Sequence, residues 1–568
     1  MPVVGLSDLG LQEELDIRAM LKKYRWEDLT GLVSIMGLNI GNVFYPNCTF
    51  FSGHWDYLDD IFSRIEKFRL KTGYDKVCLF TYRTSLEFLR YIYSINYNEF
   101  SKKELTHDLY PKVELDTFKV LLKLNESLYD RTIDEDVPPE FVLFYLNYTF
   151  NDLSTINMQH LFYAQCYYGK VLFEYMTTNG EAKQLMYIDF LEKMGINDWK
   201  DYVSTVLCVM YFFEKHVQRR SKGLPYYDAT VSSMGRVNKS VLEKLTLPID
   251  KPIPYSSENK NDRNSNTDYR KFRSMPLIKD KEGKYYVYNM QLLYEQLYNS
   301  IVFVLMRSWN KKNGDFFQYY DKHFVEEFLF QRTVLNIVRD DKRINAYFPS
   351  SNYILFQKNK QENDNDPDFY YRIGQRVFLF ECKGMMINGS LKENENIKSL
   401  YEELKMKIKD NGQDNSVLIK QLAKHISIIE NAIKVGYFTW DNHLPRKVYY
   451  YPIFMLADMK IVRSGLMSIV NDWFYEELKS GGLLHVNYKP VIIMSIDMLF
   501  IYEDLFRKNG IGYYIDLFLK EIDARIENCR WSIDEKADFN SYMLNNYRFG
   551  EKAKKFTEDY RKNVLRCP

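Results

Sequence analysis

From Pro367 to Gly384 the chain reads Pro-Asp, a stretch Phe369–Phe380 with an internal Gly374-Gln375, then Glu381-Cys382-Lys383-Gly384. In an extended strand, residues two apart share a face. Glu381 and Lys383 therefore point one way and Cys382 points back into the core. The apolar run Val377-Phe378-Leu379-Phe380 before the acid predicts a buried strand. Gly374-Gln375 predicts a hairpin turn, which puts Asp368 at the head of the neighbouring strand, beside Glu381. Two carboxylates and an ammonium then converge. That set suits a divalent cation and a water held for attack on a phosphodiester.

The elements that must carry these groups follow from periodicity. From residue 317 the order is a helix (Phe317–Val338), a short strand (Tyr353–Phe356), the acid-bearing hairpin, and helices near Ile397–Ile408 and Ser416–Val435. In the last of these, Leu418, Leu422, Ile426, Ile429 and Ile433 make a buried stripe. Val448–Leu456 and Pro490–Ile496 read as buried strands because their apolar residues run nearly unbroken, and helices Gly465–Leu478 and Tyr513–Arg525 flank them. The sum is a mixed sheet with helices packed on it. Residues 1–247 instead read as mainly helical, with three- and four-residue apolar spacing in stretches such as Leu115–Leu128, Ile156–Met176 and Val203–Val217. Between the halves, Pro248, Pro252 and Pro254 precede the polar run Ser256–Asp268. This marks residues 248–275 as a linker or exposed loop. The third part, 276–568, opens with a hairpin turned at Lys281-Glu282-Gly283 and a helix from Met290 to Trp309. The fold class is thus α/β (α+β): a mostly helical N-terminal domain followed by a mixed sheet flanked by helices.

Bulk composition narrows the function. With 568 residues, two or three domains are expected, and 46% hydrophobic with 27% charged residues is a globular balance. A net charge of +1 excludes a histone-like, globally basic binder, so any nucleic-acid contact is local. The seven cysteines are scattered without a C-x-x-C pair, which fits reduced thiols and argues against structural zinc. The eight histidines form no metal-binding grouping, and no phosphate-binding P-loop occurs. The first residues lack a basic segment followed by a long apolar one, and runs such as Val206–Phe213 are too short to span a bilayer. A soluble, cytoplasmic protein is expected, with no membrane partner.

The order helix, hairpin with Pro-Asp, strand with Glu-x-Lys, helix, strand resembles the PD-(D/E)xK nuclease superfamily. The resemblance covers residues 317–500 in order of elements and is specific at 367–384. It implies a restriction-endonuclease-like sheet. Asp368 and Glu381 would ligate Mg²⁺, or Mn²⁺ in its place, with the backbone carbonyl of Cys382 completing the shell. Lys383 would position or activate the attacking water. Many members carry a glutamate on the helix before the sheet, which points to Glu326, with Glu327 as the alternative. Some carry Gln-x-x-x-Tyr on the helix after Glu-x-Lys. Here the match is Gln421-Leu-Ala-Lys-His425, which implies a phosphate or water contact for Gln421 and leaves His425 as a departure. The implied function is a metal-dependent DNA endonuclease (RNA is the other substrate) of the kind found in bacterial restriction and antiviral defence. A partner protein would supply activation or ATPase activity, and a homodimer would be needed for double-strand cleavage. The alternative is a non-catalytic nucleic-acid- or protein-binding module on a degenerate nuclease fold.

Plainer readings stand beside these. Glu381 and Lys383 can be a surface ion pair on an edge strand, with Asp368 capping a turn; such pairs contribute little. The apolar strand before Glu381 argues instead for a central position, where charges seldom sit without a task. Asp364 and Asp366 read as solvated loop acids, Asp366 being the substitute ligand if the register slips. His216–Lys222 reads as a helix terminus. Tyr269-Arg-Lys-Phe-Arg273 mixes bases and rings and is a candidate strand-binding element. Asp458, Lys460 and Asp497 follow strands and are assigned to loops.

Overall fold

Val377–Phe380 is fully buried because it lies in the middle strand of a five-stranded sheet. In the computed structural model the strands are β1 (Ala346–Pro349), β2 (Phe369–Ile373), β3 (Arg376–Lys383), β4 (Tyr449–Leu456) and β5 (Ile492–Ser495), in spatial order 5-4-3-2-1. β1, β2 and β3 pair antiparallel; β3, β4 and β5 pair parallel. The β2–β3 hairpin turns at Gly374, whose φ of 59° is open to glycine without strain. Phe369 faces Phe380 in register, so Asp368 falls opposite Glu381. The structure describes residues 3–11, 15–38, 44–45, 58–73, 77–104, 110–129, 137–178, 180–218, 227–228, 237–248, 269–312, 315–349, 366–385, 387, 397–410, 418–436, 441, 443–522 and 524–565, apart from 151–157.

A long helix, α2 (residues 316–338), precedes the sheet. Its middle, Tyr320–Phe330, is wound as a π-helix, with hydrogen bonds to the fifth residue. The Phe330 ring packs edge-on to Phe369 and tilted on Phe380, at 6.5 and 6.0 Å, which seats α2 on β2 and β3. Helix α3 (Leu418–Val435) also packs on β3, burying Leu418, Leu422, Ile426 and Ile429. The stripe is thus the sheet-facing one; Ile433 is only partly buried, at the helix end. The strand expected at Tyr353–Phe356 lies outside the described residues. The strand that pairs with β2 is Ala346–Pro349, closer to α2.

The chain is a mostly helical front part followed by this mixed sheet and its helices. Apolar side chains gather into two cores. The smaller takes Val4 to Leu124 together with Leu247, Tyr269, Phe272, Ile278, Tyr288 and Leu292. The larger runs from Val137 to Tyr560 and includes the sheet. Helix α1 (Met158–Met176) is buried over most of its length in this larger core. It meets α4 (Ile496–Ile501), where fully buried Asp497 accepts a hydrogen bond from Tyr168 Oη at 3.0 Å and a second contact from His160. Asp497 is therefore a helical, buried residue and not part of a loop. Lys460 is likewise buried, its ammonium 2.7 Å from Glu295. Of the stretch 248–275, residues 249–268 lie outside the described residues; 270–274 form a short helix. Among the described residues the cysteines are unbridged, and no helix is long and apolar enough to cross a membrane.

Candidate active site

The hairpin register delivers Asp368 to the end of β3. Its Oδ2 accepts a hydrogen bond from the Cys382 backbone N–H at 2.7 Å, and its carbonyl accepts one from Gln331 of α2. The Cys382 side chain is fully buried in the core, and burial pushes its thiol up. Glu381, 2% exposed, meets His425 Nε2 of α3 at 2.7 Å. Lys383 donates to Glu326 Oε1 of α2 at 3.2 Å. Glu327, the alternative, is turned away and bonds His323 at 2.8 Å. The structure therefore brings Asp368, Glu381, Lys383 and Glu326 to one end of β3, with α2 and α3 as walls. Gln421 lies one turn before His425, its side-chain oxygen buried with no hydrogen-bond partner.

Asp321 was not foreseen. It lies five residues before Glu326, a spacing that an α-helix would splay by about 140°. The π winding brings the two onto one side. Asp321 Oδ1 is buried with no hydrogen-bond partner, and it lies so close to Gly384 that a Cβ there would overlap it. The glycine after Glu-x-Lys is the one sequence signal that a neighbour must approach closely.

The acids strain against one another. Burial raises the Asp368 carboxyl well above the usual range, and Glu381 and Glu326 add to the rise against Lys383 and the Cys382 N–H. Burial also raises Glu326, opposed by Lys383. Asp321 is pushed up to about 8 by burial and then by Glu326. Lys383 is held above the ordinary lysine range: burial pulls it down, but Glu326, Asp368 and Glu381 together outweigh that. Crowded carboxyls that resist ionising are what a bound cation would relieve.

The donors are hard oxygens, two of them orphaned, and so match Mg²⁺ or Mn²⁺ in kind. As placed, Glu381 and Glu326 are engaged by His425 and Lys383, and among the described residues no group of three or more His, Cys, Asp or Glu side chains is arranged to hold a metal ion.

The remaining candidates lie elsewhere. Asp366 precedes the hairpin, and Asp364 lies outside the described residues. Tyr269 and Phe272 are buried in the smaller core, where Tyr269 Oη donates to Glu87 at 3.0 Å, so neither ring is open to stack on a base. Residues 219–222 of the basic cluster lie outside the described residues, as do the side chains of 216–218. No protein-family model, no curated protein and no solved structure matches the chain.

Proposed function

We propose that the chain is a metal-dependent nuclease that hydrolyses phosphodiester bonds, with DNA as its substrate, acting in the cytoplasm as a restriction-type or antiviral-defence effector. The carrying observation is the meeting of Asp368, Glu381 and Lys383 at one end of the central strand, with Glu326 bonded to the lysine. The biological setting rests on the resemblance of the chain's architecture to such effectors.

Asp368, Glu381 and the Cys382 carbonyl would hold Mg²⁺ or Mn²⁺. When bound, the ion supplies charge neutralisation at the phosphate and acidifies a water. Lys383 keeps its proton among three carboxylates, so it acts as a donor that orients the water and stabilises the phosphate's developing charge, not as the base. Glu326 aims that ammonium. His425 fixes the Glu381 carboxylate through Oε1. Gln421 offers its amide to a phosphate oxygen or water.

The test is incubation of purified protein with supercoiled plasmid, linear duplex, single-stranded DNA and RNA, with Mg²⁺ or Mn²⁺, beside Lys383→Ala. Metal-dependent cutting lost in the variant supports the reading and identifies the substrate. Cutting that survives Lys383→Ala overturns it. One observation favours the second reading, a binding module on a degenerate fold: Glu381 and Glu326 are already occupied by His425 and Lys383. Such a module would show neither cutting nor stabilisation by Mg²⁺.

A further inference from the structure

Arg376 opens β3 and Lys383 ends it, so the two stand about 23 Å apart at ~3.3 Å per residue. At the Arg376 end, away from the acids, the sheet, helix α5 (Ile511–Glu521) and a short hairpin of β6 (Arg525–Glu527) and β7 (Arg530–Ser532) enclose an open cleft of about 430 Å³.

Two kinds of group line it. Arg376, Lys489 and Lys520 line it with Asp516, the one carboxylate among the described lining residues, which leaves a formal surplus of two positive charges among them. Asp516 accepts from Tyr451 Oη at 3.0 Å and lies 3.2 Å from Arg376 and 3.7 Å from Lys489. It therefore aims two cations along the cleft without neutralising all three. Beside them are flat rings. Tyr449, 37% exposed, is the register partner of Arg376 across β3 and β4. Trp531 is pinned by its indole N–H, which donates to the Tyr488 carbonyl at 3.2 Å, and Lys489 stands 5.9 Å from its ring centre. One ring pinned by its own hydrogen bond and a second that is exposed, beside cations in excess of the described carboxylate, match a planar base carrying phosphate.

We infer that this cleft binds a nucleoside phosphate, the base on Trp531 or Tyr449 and the phosphate among Arg376, Lys489 and Lys520. The inference does not rest on the nuclease reading, since none of these residues belongs to the acid cluster. The same chemistry is offered by a free nucleotide and by a nucleotide within a single strand.

The full-length protein, in EDTA, is titrated calorimetrically with ATP and, separately, with a ten-residue thymidylate strand. Binding of at least one is expected, weakened at least about tenfold by Trp531→Ala and by Lys520→Glu. ATP alone identifies a free nucleotide; the oligonucleotide alone identifies a strand. Trp531→Phe keeps a stacking face and should retain most of the affinity. Lys520 is exposed on α5, so its variant tests the cleft even if Trp531→Ala fails to fold. Binding of neither probe, binding indifferent to Lys520→Glu and to the Trp531 variants that fold, or equal binding of a ten-residue glutamate peptide overturns the inference.

Discussion

Asp321 carries the sharpest energetic prediction. Asp321→Asn keeps the side chain's shape and removes its charge. In the unfolded chain this carboxyl titrates near 3.8; in the fold it is pushed up to about 8, by burial first and then by Glu326, against Lys383 and Lys407. A raised carboxyl costs nothing below the lower value. The cost grows between the two and stays constant above the upper one. At about 1.36 kcal/mol per pH unit, moving from about pH 5 to about pH 7 costs the wild type about 2.7 kcal/mol. The side chain retains some solvent access, which reduces this to about 1–2.5 kcal/mol. The assay is urea unfolding of the full-length protein in EDTA, followed by tryptophan fluorescence at both pH values. Asn does not titrate, so the stability difference between variant and wild type should shift by that amount in the variant's favour as pH rises. Added Mg²⁺ should narrow it again, because the cation meets the charge in the wild type. A difference that stays constant between the two pH values refutes the electrostatic account of the cluster, as does one that moves toward the wild type.

Three further outcomes are expected. Mg²⁺ at about a hundred times its dissociation constant should stabilise the wild type by about 2.7 kcal/mol, read as a higher Tm in thermal denaturation, and Asp368→Ala should abolish the rise. Asp441 is buried against Arg372 and also accepts from Tyr370 at 3.0 Å, so Asp441→Ala strands a buried guanidinium at a cost of about 3–5 kcal/mol in denaturant unfolding. Burial alone would raise the Asp441 carboxyl, but the Arg372 bonds hold it below the usual range, so its contribution is present at neutral pH and is lost as acid protonates it below about pH 4. Gly169→Ala drives a Cβ into the Leu297 carbonyl oxygen where α1 meets its neighbour, and should cost about 1–3 kcal/mol by overpacking, visible as a lower Tm.

The centre of the site was legible because it obeys short-range rules. The period of two set Glu381 and Lys383 together, the glycine turn set the register, and the apolar run announced a central strand. The stripe on α3 was legible for the same reason, and with it the position of Gln421. His425, which departs from the family pattern, bonds Glu381 all the same: a neutral or charged imidazole can reach a carboxylate as a tyrosine hydroxyl can. Asp321 was hidden because the spacing of five means opposite sides in an α-helix, and nothing in Tyr320–Phe330 announces a π winding. The β6–β7 hairpin was hidden too. Its residues are mostly exposed and its strands are only three residues each, too short for the single apolar residue in each (Ile526, Trp531) to read as alternation, and its turn places Asn528 and Cys529 at φ of 50° and 64°, a conformation ordinarily signalled by Asn-Gly. Asp497 looked like a loop charge, and the burial of Lys460, which does lie in a turn, was hidden, because their partners, the pair His160 and Tyr168 and Glu295, are more than 150 residues away in the chain.

That last contact has a consequence for how the protein can be dissected. Asp497 carries a carboxylate into the interior on the strength of two partners from α1. A fragment beginning at residue 276 would lack both, and would also open to water the apolar surface that α1 covers, so it would clump sooner than fold. The sharing runs the other way as well. A change deep in α1 that loosens the larger core removes the platform beneath Asp368 and Glu381. A genetic screen for lost activity would then return α1 positions alongside the acids, and only a melting curve would tell broken scaffolds from broken chemistry.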